Sequence, residues 1–340
     1  MKTSVFSTHR FEEKYLRQAN DGKHDLHLLD VKLDERTAAL AAGCEAACLF
    51  VSDKASAEAL KLLRECGVQY LALRSAGFNH VDLAAAKELG FRVARVPAYS
   101  PYAVAEHTVA LMMALNRKLI QAHNRVRELN FSLDGLTGFD MHGKTAGVIG
   151  TGKIGAAVVR ILHGFGCRIL ANDQFENEEL KKDGMVTYTD CATLCRESDI
   201  ITLHVPLTPE THYLIDRDCI ASMKSGVMLI NTSRGGLVDT KAVIDALKTR
   251  HIGYFGMDVY EEEEGLFFED HSGDILQDDV IARLMTFNNV LITSHQAFLT
   301  DTALTNIAEA TIYNLDCFEK GLKNENEIFI QSTADHAALK

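Results

Sequence analysis

The chain has 340 residues, 47% of them hydrophobic and 24% charged, with a formal net charge of −12. Its length suits two domains that bury their own cores without disulfide or metal staples. The negative balance excludes a broad nucleic-acid or anionic-membrane surface, because phosphates attract basic proteins; an anionic substrate would need locally placed cations.

Met1 to Tyr15 mixes apolar residues with charges and lacks the apolar core of a secretory signal. No run of about 18 apolar residues follows, so a cytoplasmic chain without a membrane span is expected. Short apolar runs at 4–7, 26–29, 46–51, 70–73 and 92–96 read as strands, with helical patterns at 55–65 and 82–89. That alternation predicts βαβ units and a parallel sheet. Cys44 and Cys48 are four apart, as are Cys191 and Cys195, and neither spacing is the C-x-x-C of a zinc or redox motif. The eight cysteines therefore read as reduced, mostly buried thiols, with no metal.

Ser100 fits an N-cap and Pro101 the first position of a long helix. Val104, Leu111, Met112 and Leu115 recur on it at helical spacing, and Glu106 and His107 read as structural. A second alternation begins at Thr145, with strands predicted at 145–150, 168–173, 200–205, 227–231, 254–259 and 290–293. Several are near-continuous apolar runs, as expected when both faces are covered. A final helix is predicted from Thr300 to Lys320, ended by Gly321. The expected fold class is α/β, with two Rossmann-like, doubly wound parallel-sheet units, the second the larger.

Gly150-Thr151-Gly152-Lys153-Ile154-Gly155 matches G-x-G-x-x-G. The apolar run Ala146-Gly147-Val148-Ile149 precedes it, an amphipathic helical pattern follows, and Asp173 lies 18 residues beyond Gly155. Each part has a mechanical role. Gly150 permits a tight turn, Gly152 the close approach of a pyrophosphate, and Gly155 helix–strand packing, while the helix N-terminus receives the anion. Asp173 can accept from the adenosine ribose hydroxyls and would repel a 2′-phosphate. Gln174-Phe175 adds no compensating cation, so the cofactor expected is NAD.

In doubly wound sheets, ligands bind beyond the carboxyl ends of the strands. Val205-Pro206, Thr232-Ser233-Arg234, Asp258 and Ser294-His295 all lie at such ends. One guanidinium, one imidazole and carboxylates suit reduction of a 2-keto acid. The guanidinium can clamp the substrate carboxylate with paired hydrogen bonds, and the imidazole can deliver a proton to the carbonyl oxygen. His204, also near a strand end, reads as packing beside the cofactor without carrying protons. Which member of the run Glu261-Glu262-Glu263-Glu264 points inward is not legible from the pattern.

These residues resemble the D-isomer-specific 2-hydroxyacid dehydrogenase family over nearly the whole chain. The segments that carry the resemblance are Arg74 to Asn79, Val96 to Pro101, Gly147 to Gly155, Asn231 to Gly236, Met257 to Glu261 and His295 to Thr300. Asn130 to Phe139 and Leu266 to Asp270 are similar to its fermentative D-lactate dehydrogenase branch in bacteria. The resemblance implies that Arg234 holds the substrate carboxylate, that His295 is the acid–base group, and that Glu263 pairs with His295. It assigns Asp258 a place beside the nicotinamide, and Lys153, Ile154, Val205, Pro206, Thr232 and Ser233 to the cofactor with Gly150, Gly152, Gly155 and Asp173. Backbone N–H groups of Ala76 and Gly77 would bind the substrate, Tyr99 and Phe298 would wall its methyl pocket, and Arg10 would sit at the site's edge.

The same resemblance implies a discontinuous substrate domain, 1–100 with 300–340, and an NAD-binding domain, 101–299, with the active site in the cleft between them. Pyruvate and D-lactate are the expected substrate pair, and a homo-oligomer, dimer or tetramer, the expected assembly. Two alternatives stay open: a dehydrogenase for a bulkier 2-keto acid or hydroxypyruvate, and an NAD(H)-sensing, corepressor-like interaction protein.

Overall fold

The computed structural model describes residues 1–328; the end of the expected 300–340 segment, residues 329–340, lies outside them. The chain divides into two compact units, one formed by Met1–Ser100 with the described residues from Leu299 on, the other by Pro101–Phe298. Among the described residues no helix is long and apolar enough to cross a membrane.

The first unit runs β1 (Lys2–Val5), α1 (Arg10–Asn20), β2 (Asp25–Leu28), β3 (Ala46–Leu49), α2 (Ala57–Glu65), β4 (Tyr70–Leu73), α3 (Leu83–Glu88) and β5 (Arg92–Ala94). Its sheet has the order β2-β1-β3-β4-β5, and every pairing is parallel. The pleat sends alternate side chains to opposite faces. Ala47, Leu49, Leu71, Leu73 and Val93 pack with Leu60 and Leu63 of α2, whereas Val5, Ala46, Cys48 and Ala72 pack with Leu16 of α1. Arg74, just past β4, is fully buried and ties the strand ends together. It donates to the carbonyls of Phe6, Ser7 and Cys48 and pairs with Glu12 at 3.0 Å. Removing either partner of such a pair would strand a buried charge, at a cost of about 3–5 kcal/mol.

The second unit comprises α4 (Pro101–Asn116), α5 (Leu119–Arg127), β6 (Thr145–Ile149), α6 (Lys153–Gly164), β7 (Arg168–Asn172), α7 (Glu178–Lys182), β8 (Thr187–Tyr188), α8 (Cys191–Glu197), β9 (Ile200–Leu203), α9 (Arg217–Ser222), β10 (Val227–Asn231), α10 (Thr240–Lys248), β11 (Ile252–Met257), α11 (Asp279–Met285) and β12 (Val290–Ile292). A final helix, α12 (Asp301–Glu319), belongs to the first unit and packs on α1. The second sheet has the order β12-β11-β10-β9-β6-β7-β8. Its middle strands are buried on both faces. Ala146, Val148, Met228 and Ile230 meet α4 and α6, and Ile149, Ile201, Leu203 and Leu229 meet the helices opposite. β6 has β7 on one side and β9 on the other, so chain order reverses there and opens a crevice at the strand ends.

Both parallel sheets and most strands lie where the apolar runs predict them. The first strand begins two residues earlier than the pattern suggests, and β8, only two residues long, carries no periodicity to read.

Candidate active site

The Gly150–Gly155 turn joins β6 to α6 as its spacing predicts. Gly150 adopts φ +94, and a Cβ at Gly155 would lie 1.9 Å from the Gly150 carbonyl oxygen, so strand and helix meet backbone to backbone. Gly152 is the N-cap of α6, no side chain caps that end, and a Cβ built there would have nothing within 4 Å. This turn thus leaves free N–H groups and open space together, which suits an anionic diphosphate. Lys153 and Ile154 form the first turn, Lys153 exposed and Ile154 half-buried.

Asp173 stands at the end of β7 and already holds the turn. Its Oδ2 accepts from the Thr151 N–H and, at 3.1 Å, from the Thr151 hydroxyl; Oδ1 accepts from the Phe175 N–H at 2.9 Å. The Tyr188 hydroxyl donates to Thr151 Oγ1 at 2.8 Å and accepts from the Asn177 N–H at 2.7 Å. A carboxylate has about four acceptor sites, so room remains for ribose hydroxyls. Tyr188 and Asn177 were not legible as site residues, because the former sits in the two-residue β8 and the latter caps the short α7.

Across the sheet, three neighbouring strand ends are locked in register. The Asp258 N–H donates to the Asn231 carbonyl at 3.0 Å, and the His295 N–H donates to the Asp258 carbonyl at 2.7 Å. The residues after β10, β11 and β12 therefore continue the ladder, and Arg234 and His295 follow strands two places apart on one edge. Gly235 seals the arrangement, since a Cβ there would lie 2.1 Å from the Tyr260 carbonyl carbon. The Arg234 turn thus rests on the segment leading to Glu263. Arg234 is half-buried, donates to the Ser233 carbonyl at 2.6 Å, and has no carboxylate partner among the described residues. Its remaining donors have no partner among the described residues.

His295 Nδ1 lies 3.0 Å from Glu263 Oε1. The second carboxylate oxygen of Glu263 accepts from the Tyr260 N–H at 3.3 Å, and Phe268 lies beside the imidazole with ring centroids 5.8 Å apart. His295 Nε2 has no hydrogen-bond partner among the described residues. The His295 backbone has φ +49, a left-handed conformation that side-chain-bearing residues seldom adopt.

Asp258 is fully buried. Its carboxylate accepts from the Thr293 hydroxyl at 2.6 Å and from the Gln296 and Ala297 N–H groups at 2.9 Å each. Burial by itself would raise this carboxyl; the bonds from His107, Thr293, Ala297 and Gln296 outweigh it and hold the group below the usual carboxylate range. Asp258, expected beside the nicotinamide, is held by the loop that carries His295. Two hydroxyls are similarly committed. Thr232 is buried against Thr108, with the oxygens 2.8 Å apart, and Ser233 Oγ donates to the Val205 carbonyl at 2.6 Å. Pro206 is exposed. His204 stacks its backbone against the glycine turn, and burial pushes its imidazole down to about 3, so it is neutral.

His107, read from the sequence as structural, reaches the same network, with Nε2 3.0 Å from Thr293 Oγ1. A contact spanning that much sequence leaves no local signal. In the first unit, Ala76 and Gly77 are half-buried and their N–H groups donate to nothing among the described residues. Tyr99 is half-buried in that unit and Phe298 buried in the other; Arg10 is exposed.

Comparison with known proteins shows the family of this chain. Residues 109–297 match the model of the D-isomer specific 2-hydroxyacid dehydrogenase, NAD binding domain. A D-lactate dehydrogenase of Escherichia coli (strain K12) is 55% identical over 329 residues, which are 96% of this chain and 100% of that protein. Among solved structures, the pyruvate reductase of Chlamydomonas reinhardtii superposes with a TM-score of 0.91 at 44% identity, covering 96% of this chain and 98% of that one. A D-lactate dehydrogenase from Aquifex aeolicus, complexed with NAD and lactic acid, gives 0.85 at 34% identity, covering 97% and 100%.

Proposed function

Because this chain belongs to the D-isomer-specific 2-hydroxyacid dehydrogenase family, we infer that it is an NAD-dependent D-lactate dehydrogenase, interconverting pyruvate and D-lactate. The observation that most supports the reaction is the His295–Glu263 pair at 3.0 Å, on the same sheet edge as the Arg234 guanidinium, which has no carboxylate partner among the described residues. NADH, when bound, supplies the hydride that the keto carbon receives. The residues that would hold it are Gly150, Gly152, Lys153, Ile154 and Gly155 at the phosphates, Asp173 at the ribose, and Val205, Pro206, Thr232, Ser233 and Asp258 along the rest of the cofactor.

The chain's own groups do the rest. The Arg234 guanidinium pairs with the pyruvate carboxylate and stabilises the charge that builds on the keto oxygen. By family likeness, the N–H groups of Ala76 and Gly77 would add donors for the carboxylate, and Tyr99 and Phe298 would wall the methyl group. His295 gives its Nε2 proton to the forming alkoxide and takes it back in the oxidation of lactate. Glu263, on the far side of the ring, fixes its orientation and stabilises the imidazolium formed in the oxidative direction.

The protein is also proposed to work as a homo-oligomer in the cytoplasm. α5 buries none of its residues, and it and the following segment expose Leu119, Ile120, Val126, Leu129, Phe131 and Leu133. Large apolar side chains exposed along one short segment suit an association face. All eight cysteines are free, which suits a reducing compartment.

The deciding experiment is a rate panel over small 2-keto acids with NADH, with chiral analysis of the product. Fastest turnover with pyruvate and release of D-lactate is expected. NADH binding without turnover of any keto acid would favour the corepressor-like alternative and overturn this reading. Sedimentation tests the assembly: Phe131→Asp with Leu133→Asp is expected to yield a smaller species than the native chain, and an unchanged sedimentation coefficient removes that face from the interface.

A further inference from the structure

We infer that His107 is a positioning residue for the reaction, acting on His295 through Thr293 and Asp258; the inference rests on the dehydrogenase reading of this site. The direction of each hydrogen bond follows from proton counting. Thr293 has a single hydroxyl hydrogen, and it is donated to Asp258 Oδ1, 2.6 Å away, because that carboxylate has no hydrogen of its own to give. The Thr293 oxygen must therefore accept from His107 Nε2 at 3.0 Å, so His107 carries its hydrogen on Nε2. The same nitrogen lies 3.5 Å from Asp258 Oδ1 and adds to the field around the carboxylate.

Asp258 is the hub that this chain of bonds holds. Its carboxylate takes the N–H groups of Gln296 and Ala297, and its carbonyl takes the N–H of His295. The segment from Thr293 to Ala297 is thereby wrapped around one buried side chain. That wrapping imposes the left-handed φ of +49 at His295, a conformation that a non-glycine residue keeps only where its surroundings enforce it. Every other bond to the Asp258 carboxylate comes from the wrapped segment itself. His107 alone enters from α4, a helix packed against β11, and so anchors the hub to the body of the unit. Loss of that anchor leaves Thr293 free to rotate and the imidazole of His295 free to leave Glu263.

The test compares His107→Ala, His107→Gln, Thr293→Val and the His107→Ala/Thr293→Val double variant. Glutamine places an N–H donor near the position of Nε2, whereas alanine and valine break the chain of bonds. Expected for His107→Ala is a fall in kcat of about tenfold, the scale of one buried hydrogen bond, with KM for pyruvate and the NADH dissociation constant within about threefold of the native values. His107→Gln should restore most of kcat, and the double variant should be no slower than the slower single variant. In the enzyme without cofactor, hydrogen–deuterium exchange of the peptide spanning 293–298 should quicken in His107→Ala and not in His107→Gln.

Native kcat in His107→Ala, equal loss in the glutamine variant, or additive losses in the double variant would each overturn the inference. If the alanine variant does not fold, Thr293→Val decides: a loss of kcat there with native kcat in His107→Gln sustains it, and native kcat in Thr293→Val ends it. A native enzyme inert toward every 2-keto acid would instead refute the dehydrogenase reading itself.

Discussion

The Nδ1 atom of His295 lies 3.0 Å from Oε1 of Glu263, and the opposite ring nitrogen is left without a partner among the described residues. One carboxylate thus settles which end of the imidazole works. Glu263→Gln keeps a polar group at the same place and removes the charge. Turnover in lactate oxidation, where an imidazolium must form, is expected to fall by about 100-fold, and more than in pyruvate reduction at low pH. Steady-state rates in both directions check this; equal, small losses would leave Glu263 with no electrostatic part.

The glycines of the β6–α6 turn should separate stability from binding. Ala at 155 would drive a methyl group into the Gly150 carbonyl, 1.9 Å away. Overpacking against backbone costs about 1–3 kcal/mol or more, so Gly155→Ala should lower Tm by several degrees and weaken NADH binding together. Ala at 152 meets nothing within 4 Å. Gly152→Ala should keep a near-native Tm yet raise the NADH dissociation constant by about tenfold, a loss of about 1.4 kcal/mol. Thermal melts beside fluorescence titrations distinguish the two.

His204 predicts a pH dependence of stability. Burial pushes its imidazole from 6.5 down to about 3 in the folded chain. As pH falls below 6.5, the unfolded chain binds a proton that the folded chain refuses, so stability declines from there down to about 3. The urea midpoint of the native protein should drop between about pH 7 and about pH 5, and His204→Gln should show a smaller drop over the same interval. Identical slopes would mean that His204 is charged in the fold.

Asp173→Ala should narrow the preference for NADH over NADPH, since the carboxylate that would repel a 2′-phosphate is gone. It should also loosen the turn, because Thr151 loses both of its bonds to Asp173. Specificity constants for the two cofactors measure the first effect. Negligible NADPH use in the variant would show that another group sets the choice.

The legible parts of this molecule are those whose cause is local. The G-x-G-x-x-G turn, the flanking apolar strands and Asp173 at the next strand end all follow from steric and periodic rules acting over a few residues. Arg234 and His295 stand out because strand ends are where ligands bind. Which glutamate of the acidic run faces inward is not readable from pattern and comes only by family likeness. The bonds that hold Asp258 are not readable either, because a carboxylate after a strand looks the same in sequence whatever the next loop does around it. His107 gives no sign, since a histidine among helical apolar residues is ordinarily core, and its partner Thr293 is set by the packing of α4 on β12.

The left-handed backbone at position 295 bears on how this protein can change. Glycine or asparagine would relax there, so substitutions that ease the fold and those that preserve the chemistry diverge at one codon. A library sorted only for resistance to heat should accumulate such replacements and return robust but inert proteins. Screens for tougher variants therefore need an activity gate at every round.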